Sequence, residues 1–279
     1  MKVPVIPILN TGDIHAFSTR RGDCESEQPY SGFNVCHYTG DDPAHIDECR
    51  RELTETFGVS ADRLVMPRQT HSTNVLTLTT LPVADDMLEN VDAVVTNLKG
   101  IIVGVNTADC VPVILADPTT GIVGIAHAGW RGAIGGIVEA TVAAMMSLGA
   151  NPADIHAAMG PSICIDCFEV GEEVATRFGN DCVRRIAGAK PHVSIHRHIV
   201  NALKASGVSG ENITPFDPSL CTRCHPDEYW SARKSGINSG RIFTFVIIGP
   251  RMRVKMRLFR LSLNNEILCR YLSTLGENA

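Results

Sequence analysis

The segment running from Cys110 through Asp117-Pro-Thr-Thr-Gly121 to His127 constrains this chain most, because its pattern reads as a β-hairpin with reactive groups at the open end. Apolar runs at 111–116 and 122–126 flank a turn signal rich in Pro, Thr and Gly. Pairing Asp117 with Thr120 sets Cys110 opposite His127, with Cβ atoms about 4.5–5.5 Å apart. A bulge at Gly121 shifts that register, and a slip of one residue sends the two side chains to opposite faces. At this separation a thiolate and an imidazole can share one zinc ion, for which Zn–S is about 2.3 Å and Zn–N about 2.0–2.1 Å. The third ligand has to come from elsewhere, and His71, just before the β-branched run 73–80, is the best-placed histidine. Three protein ligands leave one tetrahedral position for chemistry, the mark of a catalytic zinc site.

Each of these residues taken alone is more often plain core. Together, beside a Gly129-Trp-Arg-Gly132 turn, they point to a metal or catalytic site. A second reading needs no metal: Cys110 as nucleophile, activated by His127 as base. A single N/S site can also take copper, which binds such ligands more tightly than zinc. Multicopper oxidation demands many imidazoles, largely in His-x-His pairs; this chain has ten histidines and one such pair, His196-Arg197-His198. Cys164-x-x-Cys167 and Cys221-x-x-Cys224 have zinc-knuckle spacing, so a structural tetrathiolate is a further possibility, set against ordinary loop packing of the first pair.

A net charge of −5 without long charged runs gives no electrostatic case for nucleic acid or an acidic membrane, which leaves small molecules as the expected partners. The apolar stretch at 3–9 is short and broken by Pro4 and Pro7, unlike a signal peptide, and no run reaches the roughly 18 apolar residues of a membrane span. A cytoplasmic location is expected, with the ten cysteines read as reduced thiols.

The first half reads as mostly β. Pro43 and Gly58 bracket a helix at 44–57, and strand-like runs follow at 75–79, 93–96 and 101–105 before the hairpin. Ile134, Ile137, Val138, Thr141 and Met145 recur at helical spacing, predicting one helix that ends near 147 and packs on the sheet. Its N-terminus and Arg131 then lie beside His127, favourable for phosphate. A strand at 155–159, a helix at 170–178 and a strand and helix within 190–207 follow. Nothing divides residues 1–248, so they are expected to form one domain, while 249–279 is a basic C-terminal extension carrying Arg251, Arg253, Lys255, Arg257, Arg260 and Arg270. An amphipathic helix packing on the domain, or on a second subunit of a homodimer, is one reading for that tail, with disorder or an altered reading frame as the alternative.

Over roughly residues 10–247 the chain resembles the YfiH-like family, also described as laccase-domain or multicopper polyphenol oxidase-like proteins. The resemblance rests on Phe17-Ser-Thr-Arg20, Gly32-Phe-Asn34, Gly40-Asp-Asp42, Gln69-Thr-His71, Asp92-Ala-Val-Val-Thr96, Thr107-Ala-Asp-Cys110-Val-Pro112, His127-Ala-Gly-Trp-Arg-Gly132, Gly160-Pro-Ser162, Phe168-Glu-Val-Gly171 and Gly240-Arg241. It implies zinc at His71, Cys110 and His127, and phosphorolysis of adenosine, inosine or methylthioadenosine with adenosine deamination beside it. It also implies an α+β fold, a four-layer α/β/β/α sandwich similar to the catalytic domain of cytotoxic necrotizing factor toxins.

Arg20, Asn34 and Arg131 are the residues expected to hold ribose or phosphate, with Gln69 supporting His71 from behind. Zinc deaminases place a glutamate two residues after a ligand; here Thr73 and Gly129 stand in those positions. With no proton-transfer residue evident, phosphorolysis is the safer primary activity. A zinc-binding protein without turnover is the non-enzymatic alternative.

Overall fold

The computed structural model describes residues 3–22 and 29–249, so the reading of the basic tail lies outside the described residues. In chain order the main elements are β1 (Val5–Thr11), β2 (Ile14–Thr19), α1 (Pro43–Phe57), β3 (Leu64–Val65), β4 (Val75–Leu78), β5 (Ala93–Thr96) and β6 (Ile102–Thr107). The hairpin is β7 (Val111–Asp117) and β8 (Ile122–Ala128), followed by α2 (Trp130–Gly135), α3 (Ile137–Ser147) and β9 (His156–Met159). Then come α4 (Glu172–Ala175), β10 (Val183–Arg184), β11 (His192–Val193), α5 (Ile195–Ala205), α6 (Ala232–Ser235) and β12 (Ile242–Ile248). The described residues form a mixed α/β fold with two five-stranded sheets, ordered β1-β2-β12-β6-β3 and β4-β5-β8-β7-β9, and a small β10-β11 ribbon.

Strand alternation explains how one set of sequences covers both faces of each sheet. Ile14, Ala16, Val103, Val105, Val246 and Ile248 of the first sheet share a buried cluster with Val94, Ile114, Ala116, Val123 and Ile125 of the second. The intervening residues Phe17, Ile102, Phe243, Phe245 and Ile247 pack with Cys49, Leu53 and Phe57 of α1. On the other side, Val95, Val113, Leu115 and Ala126 pack with Ile137, Val138, Val142 and Met145 of α3 and Ile199 and Leu203 of α5. The predicted apolar stripe of α3 therefore does face a sheet.

Three local expectations need correction. The hairpin register is Asp117↔Ile122 and Pro112↔His127, two residues from the predicted pairing. The turn is longer than assumed: Gly121 adopts φ 72° and donates to the Asp117 carbonyl at 2.9 Å, while Asp117 Oδ1 accepts from the Thr119 and Thr120 amides. A shift of two keeps side chains on the same face, so Cys110 and His127 stay neighbours although not directly opposed. The single helix expected up to 147 is two, broken at Gly136, whose φ of 96° caps α2 and starts α3. The helix expected at 170–178 is regular only over Glu172–Ala175; beyond it Arg177 and Phe178 bond back three residues, tightening the turn before Gly179.

Candidate metal centre

His71, Cys110 and His127 come together from three chain segments, with one ligand atom of each lying within 4.8 Å of the others. Cys110 Sγ is 3.7 Å from His71 Nε2, close to the roughly 3.5 Å edge of a tetrahedron built from zinc–sulfur and zinc–nitrogen bonds. The two imidazole rings meet edge to face with centroids 4.7 Å apart. His127 is 4% exposed, Cys110 is half-buried and His71 is open to solvent, so the group is reachable from one side.

Sheet order explains how Asp92, read in the sequence as part of a motif and given no role at the site, organises this group. β5 lies between β4 and β8, so the residue preceding β5 borders both the loop that enters β4 and the end of β8. The buried Asp92 carboxylate accepts backbone N–H bonds from Thr70 at 3.1 Å, His71 at 3.0 Å and Ser72 at 2.7 Å, and the Ser72 hydroxyl at 2.7 Å. It also accepts from His127 Nδ1 at 2.7 Å. That bond fixes the His127 tautomer and leaves Nε2 for a metal, the usual arrangement behind a histidine ligand. Three converging amides hold His71 at φ 63°, a left-handed conformation that a non-glycine residue rarely adopts. The sequence signal was a charged residue at the head of the buried strand Ala93–Thr96.

Gln69 ties the same segment to the other sheet. Its Nε2 donates to the Asn106 carbonyl at 2.7 Å and its Oε1 accepts the Asn106 amide at 2.9 Å, with the Tyr38 hydroxyl donating to Oε1 at 3.0 Å. Gln69 thus extends the end of β6 as a strand backbone would, two residues before His71.

Gly129 closes the site from below. A Cβ there would lie 2.7 Å from His71 Cδ2 and 2.9 Å from Cys110 Sγ, so only glycine lets the backbone approach both ligands. This cradle, the mixed N/S donor set and the Asp92–His127 bond together fit a single zinc ion held by His71, Cys110 and His127.

Electrostatics couple the three side chains. Burial pushes the Cys110 thiol up, but the His127 charge and bonds from His127 and His71 outweigh it and bring it down to about 6. Burial pushes His127 down, and the Cys110 charge with the Asp92 bond overcomes this and raises it to about 9. Burial likewise opposes ionisation of Asp92, yet the His127 and Ser72 bonds hold its carboxyl well below the usual carboxylate range.

The expected substrate residues fall in different settings. Arg131 is exposed on α2 with its guanidinium over the Trp130 ring at 4.3 Å. Arg20 is half-buried, paired with Glu228 at 3.0 Å. Asn34 is fully buried, its Nδ2 donating to Asp41 at 2.8 Å and its Oδ1 accepting the Cys36 and Arg241 amides, each at 3.2 Å. The lone His-x-His pair points away from metal chemistry: His196 Nε2 bonds Ser162 Oγ at 2.8 Å, and His198 Nε2 bonds the Ala133 carbonyl at 3.1 Å. No helix among the described residues is long and apolar enough to cross a membrane.

Comparison with known proteins places this geometry among relatives. Residues 14–249 match the model of the family described as multi-copper polyphenol oxidoreductase laccase. Adenosine deaminase RL5, from an unknown prokaryotic organism, is 47% identical over 244 residues, covering 83% of this chain and 92% of that protein. A purine nucleoside phosphorylase of Deinococcus radiodurans is 41% identical over 253 residues, covering 88% and 94%. The crystal structure of the hypothetical protein YfiH of Bacillus licheniformis superposes with a TM-score of 0.77 at 26% identity, covering 85% of this chain and 93% of that one.

Proposed function

The chain belongs to the laccase-like multi-copper polyphenol oxidoreductase (YfiH-type) family, and on that premise we propose that it is a zinc-dependent purine nucleoside phosphorylase that also deaminates adenosine. The observation that carries this reading is the His71, Cys110 and His127 group, buttressed by Asp92 and open to solvent on the His71 side. Relatives named for both activities support it. The substrates of this reading are adenosine, inosine and methylthioadenosine.

When bound, zinc would supply Lewis acidity toward a phosphate, ribose or water oxygen. The chain's own part is largely positioning. Asp92 keeps the proton on His127 Nδ1 and so presents Nε2, while Gln69 and Asp92 hold the 69–72 segment against both sheets. In phosphorolysis a phosphate oxygen bonds to ribose C1′ as the bond to purine N9 breaks, and the base leaves with the electron pair and takes up a proton. Arg131, exposed at the start of α2, is assigned to phosphate. Arg20 must release Glu228, and Asn34 must release Asp41, before either can grip a sugar, so their assignment to ribose implies rearrangement on binding.

The three buried clusters support an α/β/β/α layer order for a single catalytic domain over 1–248, and the likeness to the cytotoxic necrotizing factor catalytic domain goes with that proposal. The second reading, a metal-independent Cys110/His127 hydrolase, draws on the thiol held near 6.

Incubating the purified protein with adenosine, with and without phosphate, and resolving adenine, inosine and hypoxanthine tests the reading. Phosphate-dependent release of adenine, lost on chelation and restored by zinc, is the expected result. Nucleoside binding without turnover would replace it with a zinc-binding protein. Turnover indifferent to chelators but abolished by thiol alkylation would favour the Cys/His hydrolase.

A further inference from the structure

Cys164 and Cys167 lie in the loop after β9, and Cys221 and Cys224 lie 57 residues further on, after the short 3₁₀ turn Pro218–Leu220. The backbone zips these loops together: the Ser162 amide donates to the Leu220 carbonyl at 3.1 Å, and the Thr222 amide donates back to the Ser162 carbonyl at 3.2 Å. As a result all four Sγ atoms fall within 4.8 Å of one another. Cys167 and Cys224 Sγ are 3.4 Å apart, and Cys221 Sγ accepts the Cys164 amide at 3.3 Å. Arg223 Nη1 sits 3.8 Å from Cys167 Sγ, a positive charge beside the sulfurs.

We propose that Cys164, Cys167, Cys221 and Cys224 form a second zinc site, closed and structural, separate from the His71, Cys110 and His127 centre. Four thiolates at zinc–sulfur distances of about 2.3 Å define a tetrahedron with edges of about 3.8 Å, which the sulfur separations already approach. Four protein ligands fill the coordination sphere and leave no corner for substrate. An amide N–H aimed at a sulfur and a neighbouring guanidinium stabilise thiolate charge, as a tetrathiolate site requires. A disulfide would need the Cys167 and Cys224 sulfurs to close to about 2.0 Å, and it would leave the other two thiols without a purpose.

The location gives the site its role. Asp109, at φ 88° and adjacent to the ligand Cys110, accepts the Ile163 amide on its carbonyl at 2.9 Å and the Thr222 hydroxyl on Oδ1 at 2.6 Å. Its Oδ2 accepts the Arg233 amide at 2.6 Å. Ile163 and Thr222 each neighbour a cysteine of the proposed site, so clamping the two loops fixes the turn that delivers Cys110. The proposal does not rest on the nucleoside reading.

Metal analysis of the full chain, purified under reducing and oxygen-free conditions, tests it. Two zinc ions per chain are expected, falling to one in His71→Ala/Cys110→Ala and to one in Cys167→Ser/Cys224→Ser. In the first variant, X-ray absorption at the zinc edge should show four sulfur neighbours and no nitrogen. A His71→Ala/Cys110→Ala variant with no zinc, or a wild-type chain whose only zinc is lost in that variant, overturns the proposal even if the cysteine variant fails to fold. So does a second equivalent that survives replacement of Cys167 and Cys224, or a Cys167–Cys224 disulfide in the isolated protein with only one zinc bound. A single zinc kept in His71→Ala/Cys110→Ala with four sulfur neighbours supports it and counts against the first centre alone.

Discussion

Asp92 and His127 share a 2.7 Å bond from Nδ1 to Oδ1, and the same oxygen accepts the backbone amide of His71, so one buried carboxylate positions two of the three proposed metal ligands at once. Replacing Asp92 with Ala removes both supports together. Loss of the group behind a histidine ligand typically costs about 10–100-fold in metal affinity. A loss at or beyond the upper end is expected here, measured by competition with a fluorescent zinc chelator. Asp92→Asn should fall between, since its single oxygen can still accept one N–H. An Asp92→Ala protein with wild-type zinc affinity would refute the positioning role.

Gly129 has φ −65°, which alanine adopts without strain, so Gly129→Ala tests contact alone. The added methyl would press on His71 Cδ2 and Cys110 Sγ at under 3 Å. Overpacking of this kind costs about 1–3 kcal/mol when the surroundings yield. The expected outcome is a folded protein with an unchanged circular dichroism spectrum, weaker zinc binding and lost turnover. Gly121→Ala, at φ 72° in the hairpin turn with open space around it, should instead lower the melting temperature and spare the metal.

How far the site was legible depends on range along the chain. Cys110 and His127 were readable because a hairpin brings them together locally, and even a two-residue error in register preserved their face. His71 was placed by its motif and by elimination, and the Asp92 link that positions it depends on β5 lying between β4 and β8, an order that no local pattern encodes. The break at Gly136 went unread because the apolar spacing continues across it. Gly136 supplies the φ of 96° at which the helix stops, and a Cβ on the preceding Gly135 would meet Thr73 Cγ2 at 2.9 Å. The two Cys-x-x-Cys pairs were visible as spacing, and only the fold shows that they converge.

In the metal-free protein Cys110 should be the most reactive thiol below neutral pH among the described residues. Its value near 6 lies below the ordinary 9.0, so the thiolate persists as pH falls from 9 toward 6 and is lost below that; His127, raised to about 9, loses its proton only as pH rises through that value. The mutual stabilisation is therefore intact between about 6 and 9 and fades on either side. Iodoacetamide labelling followed by peptide mass spectrometry should show Cys110 modification rising with a midpoint near pH 6, while buried Cys49, pushed up to about 11, stays unlabelled. Zinc should protect Cys110. A midpoint above 8 in the metal-free protein would contradict the coupling.

His196 gives the fold a separate sensitivity to acid. Its ring is buried, stacked on Phe216 with centroids 3.7 Å apart and bonded to Ser162 Oγ, and burial lowers it from 6.5 to about 3. The unfolded chain therefore takes up a proton at this position over a pH range in which the folded chain does not, and the stability this group contributes is complete above 6.5 and drains away as pH falls toward 3. His196→Gln keeps a polar partner for Ser162 but cannot titrate. Denaturant midpoints followed by circular dichroism between pH 7 and 4 should decline less steeply in His196→Gln than in the wild-type chain, even if the variant is less stable at pH 7. Parallel declines would show that the acid sensitivity arises elsewhere.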